Sequence, residues 1–143
     1  MNIKHLVTAA LFGVVALVSG CVSGTIQKEK LYPEPEEGKG LVYFYRERKL
    51  VGGAVGYNIK EGETVIGAIK NGTYCFVQAT PGAHTYSAST EAGTARTITV
   101  EAGKTYYLEC GVEMGLFAGR PSMKIANPDE AKSVLPNLKY LTK

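Results

Sequence analysis

The chain has 143 residues with 16 basic and 13 acidic side chains, and its formal net charge is +3. This balance, with the basic residues scattered along the chain, argues against a nucleic-acid-binding protein, and the length allows one domain with a substantial core but not two. Nine tyrosines, 17 glycines and the absence of tryptophan favour β structure.

Residues 1–20 have the organisation of a secretory signal peptide. Lys4 and the amino terminus form a positively charged start, and residues 6–18 are an apolar stretch. A helix of this length spans about 20 Å, which is less than the hydrocarbon core of a bilayer at about 30 Å. A cleaved leader is therefore favoured over a permanent transmembrane helix.

The leader ends in Val18, Ser19 and Gly20, which directly precede Cys21. This arrangement resembles the lipobox of bacterial lipoproteins, and the alternative is an ordinary signal peptide followed by a chance cysteine. The resemblance implies a diacylglyceryl thioether on Cys21, with palmitate-like chains that anchor the protein in a membrane. Val22 would be the second residue of the mature chain, after Cys21. The resemblance then implies that the protein is anchored in the outer membrane, facing the periplasm or the surface, and the inner membrane is the alternative.

Residues 21–40 are predicted to be the lipidated amino terminus and a flexible tether. The segment is polar, has no strand periodicity, and contains Pro33 and Pro35, which exclude a helix. Such a spacer would reach roughly 25 Å. The alternative is a docking segment for another envelope component.

Residues 41–143 are predicted to form an antiparallel β-sandwich of seven or eight short strands with a short helix near the carboxyl end. Glycines in residues 50–60 indicate a bulge or an irregular loop, and residues 113–122 are expected to form an irregular loop. The Asn71–Gly72 pair predicts a tight hairpin turn. Alternating apolar residues predict strands at residues 41–47, 57–59, 64–70, 73–80, 84–90, 95–100, 105–112 and 123–126.

The helix is predicted to begin after Asn127, which can cap it, with Pro128 in the first helical position. Asp129 and Glu130 suit the positive end of the helix dipole, and Pro136 ends the helix. The remaining residues, 138–141, are expected to pack back onto the sandwich.

Four turn and strand motifs carry a resemblance to known proteins: residues 43–46 (YFYR), 71–74 (NGTY), 81–84 (PGAH) and 102–107 (AGKTYY). Together they resemble an uncharacterised domain-of-unknown-function family of small bacterial lipoproteins. The Pro-Gly-x-His turn is also similar to PEGA-type surface domains. The resemblance, over about residues 40–135, implies a transthyretin-like or immunoglobulin-like sandwich in the cell envelope and no catalytic residue.

Cys75 and Cys110 remain once Cys21 is lipidated, and both fall on predicted core faces of strands. An even number of cysteines in an oxidising compartment is consistent with a disulfide. The alternative is two unpaired buried cysteines on strands that are not neighbours.

Arg46 and Arg48 follow the first predicted strand and are candidates for a small anion contact. The alternative is a solvated strand edge whose charges prevent edge-to-edge pairing. His84 is expected to cap a turn, because a single histidine with dispersed carboxylates is not a metal site.

Met114, Leu116 and Phe117 form a glycine-flanked apolar loop, which is a candidate for contact with a partner or a membrane. The alternative is a loop folded over the open end of the sandwich.

The sequence predicts a membrane-anchored, non-enzymatic lipoprotein that presents a β-sandwich for interaction with another envelope protein, or serves a structural role. No catalytic motif, metal site, cofactor site or nucleic-acid-binding pattern is expected. The alternative function is binding of a small ligand or glycan by surface tyrosines and Arg46.

Overall fold

The structure is a computed structural model that describes residue 22 and residues 24–89, 91–115 and 119–143. Cys21, Leu116 and Phe117 lie outside these residues. The described chain forms ten strands and one short α-helix, followed by a single 3₁₀ turn at Leu135–Asn137. The elements are β1 Thr25–Ile26, β2 Gly40–Tyr45, β3 Tyr57–Glu61, β4 Thr64–Ile69, β5 Thr73–Ala79, β6 Gly82–Ala88, β7 Glu91–Val100, β8 Thr105–Met114, β9 Gly119–Ile125, α1 Pro128–Val134 and β10 Lys139–Thr142.

The strands form two sheets, which confirms the predicted all-β sandwich. One sheet has the strand order β1-β10-β5-β2-β8-β9 and the other has the order β4-β3-β6-β7. The strands pair mostly in the predicted antiparallel sense, but two pairings in the larger sheet are parallel, β2 with β8 and β10 with β5. Parallel neighbours need a long connection, and the chain between β2 and β8 includes the whole smaller sheet.

β2 is the central strand of the larger sheet, and all six of its residues are buried. Val42 and Phe44 face the smaller sheet and join the core between the sheets. Leu41, Tyr43 and Tyr45 face the opposite way. The separation follows from the alternation of the strand, since successive side chains of a strand point to opposite sides.

A second apolar cluster covers the outer face of the larger sheet. Helix α1 and the 3₁₀ turn contribute Ala131 and Leu135 to this cluster, which pack against the tyrosines of β2, β5 and β8. Asn127 caps the helix as predicted, because its side-chain oxygen accepts a hydrogen bond of 2.8 Å from the Asp129 amide. The tail also packs back as predicted, and it does so as strand β10.

The segment before β2 differs from the predicted flexible tether. β1 pairs with β10, the ring of Tyr32 stacks on Tyr74 at 5.3 Å, and the Tyr32 hydroxyl donates to the Leu135 carbonyl at 3.2 Å. The Leu31 carbonyl also accepts a hydrogen bond of 2.9 Å from the Tyr74 hydroxyl. Prolines exclude a helix but allow an extended chain, so this segment can lie along the tyrosine-rich face.

Residues 113–122 also differ from the predicted irregular loop. β8 continues to Met114, β9 begins at Gly119, and the two strands pair, so residues 113–114 and 119–122 belong to a β-ladder. Pro121 pairs with Val112 in this ladder. Proline is tolerated because β9 is an edge strand, where one row of backbone groups needs no partner.

Candidate functional site

A cavity of about 300 Å³ lies beside the end of β2 and is lined by Arg46. The Arg46 side chain is only 3% exposed. One terminal nitrogen of its guanidinium donates to the Gly52 carbonyl at 2.7 Å, and the other donates to the Val55 carbonyl. Burial lowers the pKa of Arg46 from its usual value. The arginine therefore fastens the loop of residues 50–56 to the sandwich.

The burial of Arg46 contradicts the alternative of a solvated strand edge at this position. Among the described side chains, no carboxylate lies within ion-pair distance of it. The wall of the cavity also carries the carboxylates of Glu47, Glu109 and Glu113, so an anion there would meet acidic side chains as well as the Arg46 guanidinium. Arg48 is separated from this place, because it is exposed and lies against the turn at Gly72.

Tyr57 and Cys110 lie on the core side of the same region. The Tyr57 hydroxyl lies 2.9 Å from the Ser122 carbonyl and 3.1 Å from the Gly111 carbonyl, so it connects β3 with β8 and β9. No sequence motif marks this contact, because it depends on how the two sheets face each other.

The two remaining cysteines lie on opposite sides of β2. Cys75 on β5 pairs with Phe44, whereas Cys110 is on β8, which lies along the other edge of β2. Two strands separated by a third are about 10 Å apart, and a disulfide requires Cα atoms within about 7 Å. Both thiols are free and buried. This geometry rules out the predicted disulfide and matches the alternative of unpaired cysteines on strands that are not neighbours.

The buried thiols are also poor nucleophiles. Burial raises the pKa of Cys75 to about 12 and raises the pKa of Cys110 as well. Both side chains are therefore protonated at neutral pH, and the thiolate is the reactive form of cysteine.

His84 lies in β6 rather than in the preceding turn, and both of its ring nitrogens face acceptors. Nδ1 is 2.5 Å from a Glu61 carboxylate oxygen, and Nε2 is 2.7 Å from the Thr80 carbonyl. Burial opposes protonation, but the two acceptors outweigh it and raise the pKa of His84 above its ordinary value. Only the protonated ring can donate to both acceptors. The contact with Thr80 spans the turn, which is the structural role that the sequence predicts.

Tyr86 contacts His84 and has an unusual hydroxyl. The two rings stack at 6.0 Å, and the Tyr86 side chain is completely buried. Among the described residues, no hydrogen-bond partner faces the Tyr86 hydroxyl. A neighbouring cavity of about 420 Å³ is lined by Glu61, His84 and Tyr86, together with Lys143.

A groove of about 620 Å³ runs between the packed segment before β2 and helix α1. Tyr43 and Tyr107 line it and stack on each other at 5.5 Å, and Pro33 and Pro136 also contribute to its walls. Both tyrosines are almost fully buried. The alternation in β2 predicts the orientation of Tyr43, but the groove depends on the packing of residues 31–34, which the sequence does not reveal.

The predicted apolar loop begins at Met114, which is the last residue of β8. Met114 is 59% exposed there, whereas Leu116 and Phe117 lie outside the described residues. Met114 is therefore available for contact, as the candidate interaction loop requires.

The described part of the chain contains no helix that is long and apolar enough to cross a membrane. The same residues contain no group of three or more histidine, cysteine, aspartate or glutamate side chains arranged to hold a metal ion.

Comparison with known proteins gives one family. No curated protein and no solved structure matches the chain. The model of a family described as a protein of unknown function, DUF2846, matches residues 36–121, which is more than half of the chain. The matched region begins in the packed segment and extends into β9, so it includes Arg46, most of the residues that line its cavity, and most of both sheets. The chain therefore belongs to the DUF2846 family of proteins of unknown function.

Proposed function

We propose that this chain is a lipid-anchored protein of the bacterial cell envelope whose β-sandwich is a non-enzymatic interaction or structural module. The signal-like leader and the Val18–Cys21 stretch support the anchor, with a thioether-linked lipid on Cys21. The sandwich supports the module, because its candidate reactive side chains are buried or already engaged. The mature protein is proposed to reside at the outer membrane, with the inner membrane as the alternative.

The observation that carries the proposal is the position of Val22. Its Cγ2 atom lies 3.4 Å from the point where a Cβ atom on Gly56 would stand, so the residue after Cys21 already contacts the domain. A lipid attached at Cys21 would therefore hold the sandwich itself at the membrane and not merely a loose tail.

The side chains that an enzyme would need support the non-enzymatic part of the proposal. Both described cysteines are buried and protonated, and both nitrogens of His84 are occupied by Glu61 and Thr80. A saturable hydrolytic activity that is lost in His84→Ala, with the fold intact, would contradict this part.

The finer fold assignment is also a proposal: a PEGA-like or transthyretin-like sandwich. It is supported by the Pro81–Gly82 turn, which joins β5 of the larger sheet to β6 of the smaller sheet. In the resemblance described above, a Pro-Gly-x-His turn likewise joins two strands.

The anchor is tested by labelling cells with a palmitate analogue. The wild-type protein and the control variant Cys75→Ala should both incorporate the label, whereas Cys21→Ser should not. Fractionation of the two membranes then locates the labelled protein. Label retained by Cys21→Ser would contradict the proposed anchor.

The interaction module is tested by crosslinking in native envelopes. Met114 is replaced by a photoreactive residue, and the proteins that become attached to it are identified. A partner recovered reproducibly from wild-type cells, and lost when the same photoreactive residue is moved to Ile125, would support the proposal. Crosslinks that are equally unspecific at both positions would contradict it.

The second candidate function is binding of a small ligand or glycan. The buried Arg46 guanidinium on the wall of a cavity favours it, since an anionic group could accept from this cation. A thermal-shift screen with anionic metabolites and envelope glycans separates the two functions. A saturable rise in melting temperature that Arg46→Lys weakens would favour the ligand-binding function.

A further inference from the structure

Three loops meet at one end of the sandwich. The loop of residues 48–56 is tied to the turn after β4 by two hydrogen bonds of 2.9 Å between the backbone of Lys49 and the side chain of Asn71. The hairpin of β8 and β9 reaches the same loop, because a Cβ atom on Gly119 would stand 3.3 Å from a methyl carbon of Val55. We name this end of the molecule the anchor end.

The chain emerges from the leader at the anchor end. Val22 lies against Gly56, and the Lys70 ammonium donates to the Gly24 carbonyl at 3.2 Å. Consecutive Cα atoms are 3.8 Å apart, so the lipid on Cys21 would start within about 4 Å of the Cα atom of Val22. The sandwich therefore has no spacer that would let this end move far from the bilayer.

Exposed apolar side chains project from the anchor end. Leu50 is fully exposed at 101%, Val51 is 65% exposed and Met114 is 59% exposed. Their loops are packed together, since a Cβ atom on Gly52 would stand 3.0 Å from a methyl carbon of Val112. Apolar side chains clustered in this way suit contact with an apolar phase. Further exposed apolar residues, Ile26, Leu31 and Ile125, lie along the sides of the molecule.

Basic side chains surround these apolar residues, and they differ from the basic side chains at the opposite end. In the described part of the chain, no carboxylate forms an ion pair with the four basic residues at the anchor end, which are Arg48, Lys49, Lys70 and Lys139. At the opposite end, Lys39 pairs with Glu36 at 2.9 Å, and Lys104 pairs with Glu101 at 2.5 Å.

Glu47 and Glu113 are exposed carboxylates near the anchor end. Glu47 and Glu113 contribute to the wall of the Arg46 cavity on the flank of the sandwich. Glu113 also stands opposite Arg120 in the β8–β9 hairpin. Lys49 and Val51 line the same cavity. The exposed charge around Leu50 and Val51 is therefore a basic excess, in which Arg48, Lys49, Lys70 and Lys139 outnumber these two carboxylates.

We propose that the anchor end is a membrane-docking face that lies on an anionic lipid surface, with Leu50 and Val51 inserted among the headgroups. The proposal rests on the lipid anchor at Cys21 and deepens it by assigning the orientation of the domain. Unpaired basic side chains near a bilayer are attracted to anionic lipid headgroups, and exposed apolar side chains enter the boundary with the acyl chains. The lipid brings the face to the bilayer, and the apolar and basic residues fix which side of the sandwich rests on it.

The absence of tryptophan from the sequence permits a direct test. The full chain is expressed with its leader, and the mature lipidated forms of Leu50→Trp and Ile125→Trp are reconstituted into vesicles of phosphatidylethanolamine and phosphatidylglycerol. Ile125 is a matched control, because it is also exposed, at 60%, but pairs with Leu108 at the end of the β8–β9 ladder that is farthest from Met114. Leu108 lies six residues before Met114, or about 20 Å along the strand.

On transfer from detergent to vesicles, the tryptophan fluorescence of Leu50→Trp should shift to the blue, and lipids with brominated acyl chains should quench it. The fluorescence of Ile125→Trp should show neither effect. Adding Lys49→Glu to Leu50→Trp should reduce the quenching, and adding Lys104→Glu at the opposite end should leave it unchanged. Mass spectrometry of the same samples reports whether Cys21 carries the lipid.

Each contrary result has a distinct meaning. If Cys21 is lipidated but Leu50→Trp remains unquenched, the docking face is wrong and the anchor stands. If Cys21 carries no lipid, the anchor fails and the docking face fails with it. If Leu50→Trp shifts to the blue in native envelopes but not in pure lipid vesicles, the face contacts a protein, and the proposal of a lipid surface is wrong.

Discussion

Replacing Tyr57 with phenylalanine would remove a buried hydroxyl that lies within hydrogen-bond distance of the Ser122 and Gly111 carbonyls. The same replacement at Tyr86 would remove a hydroxyl for which the described residues supply no partner. Both rings belong to the core between the sheets and are at most 2% exposed. The two substitutions therefore delete the same atom from the same core and differ in the hydrogen bonding of that atom.

The structure predicts opposite effects on stability. Loss of the Tyr57 hydrogen bond should lower the free energy of unfolding by about 1 kcal/mol, and by more if a buried carbonyl then has no partner. Loss of the Tyr86 hydroxyl removes an unsatisfied buried group, so Tyr86→Phe should be neutral or stabilising by up to about 1 kcal/mol. For a domain of this size, about 1 kcal/mol corresponds to roughly 4 °C in melting temperature.

The assay is urea unfolding of both variants and the wild type, followed by intrinsic tyrosine fluorescence and circular dichroism. If the free energy of unfolding falls with urea concentration at the same slope in all three proteins, the same amount of surface is exposed on unfolding in each case. A Tyr86→Phe variant that is as destabilised as Tyr57→Phe would refute the reasoning, because the Tyr86 hydroxyl would then have a partner.

Three further predictions concern stability and reactivity. The fold favours protonated His84, so the contribution of this side chain to the free energy of unfolding should be fully present below about pH 6.5 and lost as pH rises through the raised pKa. Urea unfolding at several pH values measures this dependence, and Glu61→Gln should flatten it. A pH dependence that Glu61→Gln leaves unchanged would contradict the prediction. Cys75 and Cys110 should react with a maleimide only in denaturant, with no mass change on reduction, whereas a gain of two hydrogens on reduction would reveal a disulfide. Asn127→Ala should lower the free energy of unfolding by about 1 kcal/mol through loss of the helix cap, and an unchanged thermal transition would show that the cap is dispensable.

Local rules predicted much of the secondary structure. Alternation placed Val42 and Phe44 on one face of β2 and Tyr43 and Tyr45 on the other. The Asn127 cap also follows from local chemistry, since Asn127 accepts from the first turn of the helix. These features depend on residues that are close together in the sequence. Asn71–Gly72 forms a turn in which Gly72 adopts a φ of 70°, but the turn joins β4 of the smaller sheet to β5 of the larger sheet, so the predicted hairpin is wrong.

The remaining features depend on residues that are far apart in the sequence. The parallel pairing of β2 with β8 joins residue 41 to residue 105, and no local pattern specifies it. Arg46 directly follows a strand, and its position in the sequence does not distinguish it from an exposed arginine at a strand end. It is buried because its guanidinium donates hydrogen bonds to the carbonyls of Gly52 and Val55. The polar segment before β2 has the composition of a linker, and the aromatic face of the sheet orders it through Tyr32.

The separation of the two cysteines has the same origin. Their positions on core faces were predictable from alternation, whereas the insertion of β2 between their strands was not. The even number of cysteines favoured a disulfide, but the strand order places the two cysteines too far apart to form one.

The most direct test of the proposed function is the mass of the amino-terminal peptide from protein extracted from native membranes. The account predicts a mature chain that begins at Cys21 and carries a diacylglyceryl group on the cysteine sulfur, with no residue of the leader remaining. A mature chain that begins at another residue, or that begins at Cys21 with an unmodified thiol, would contradict it.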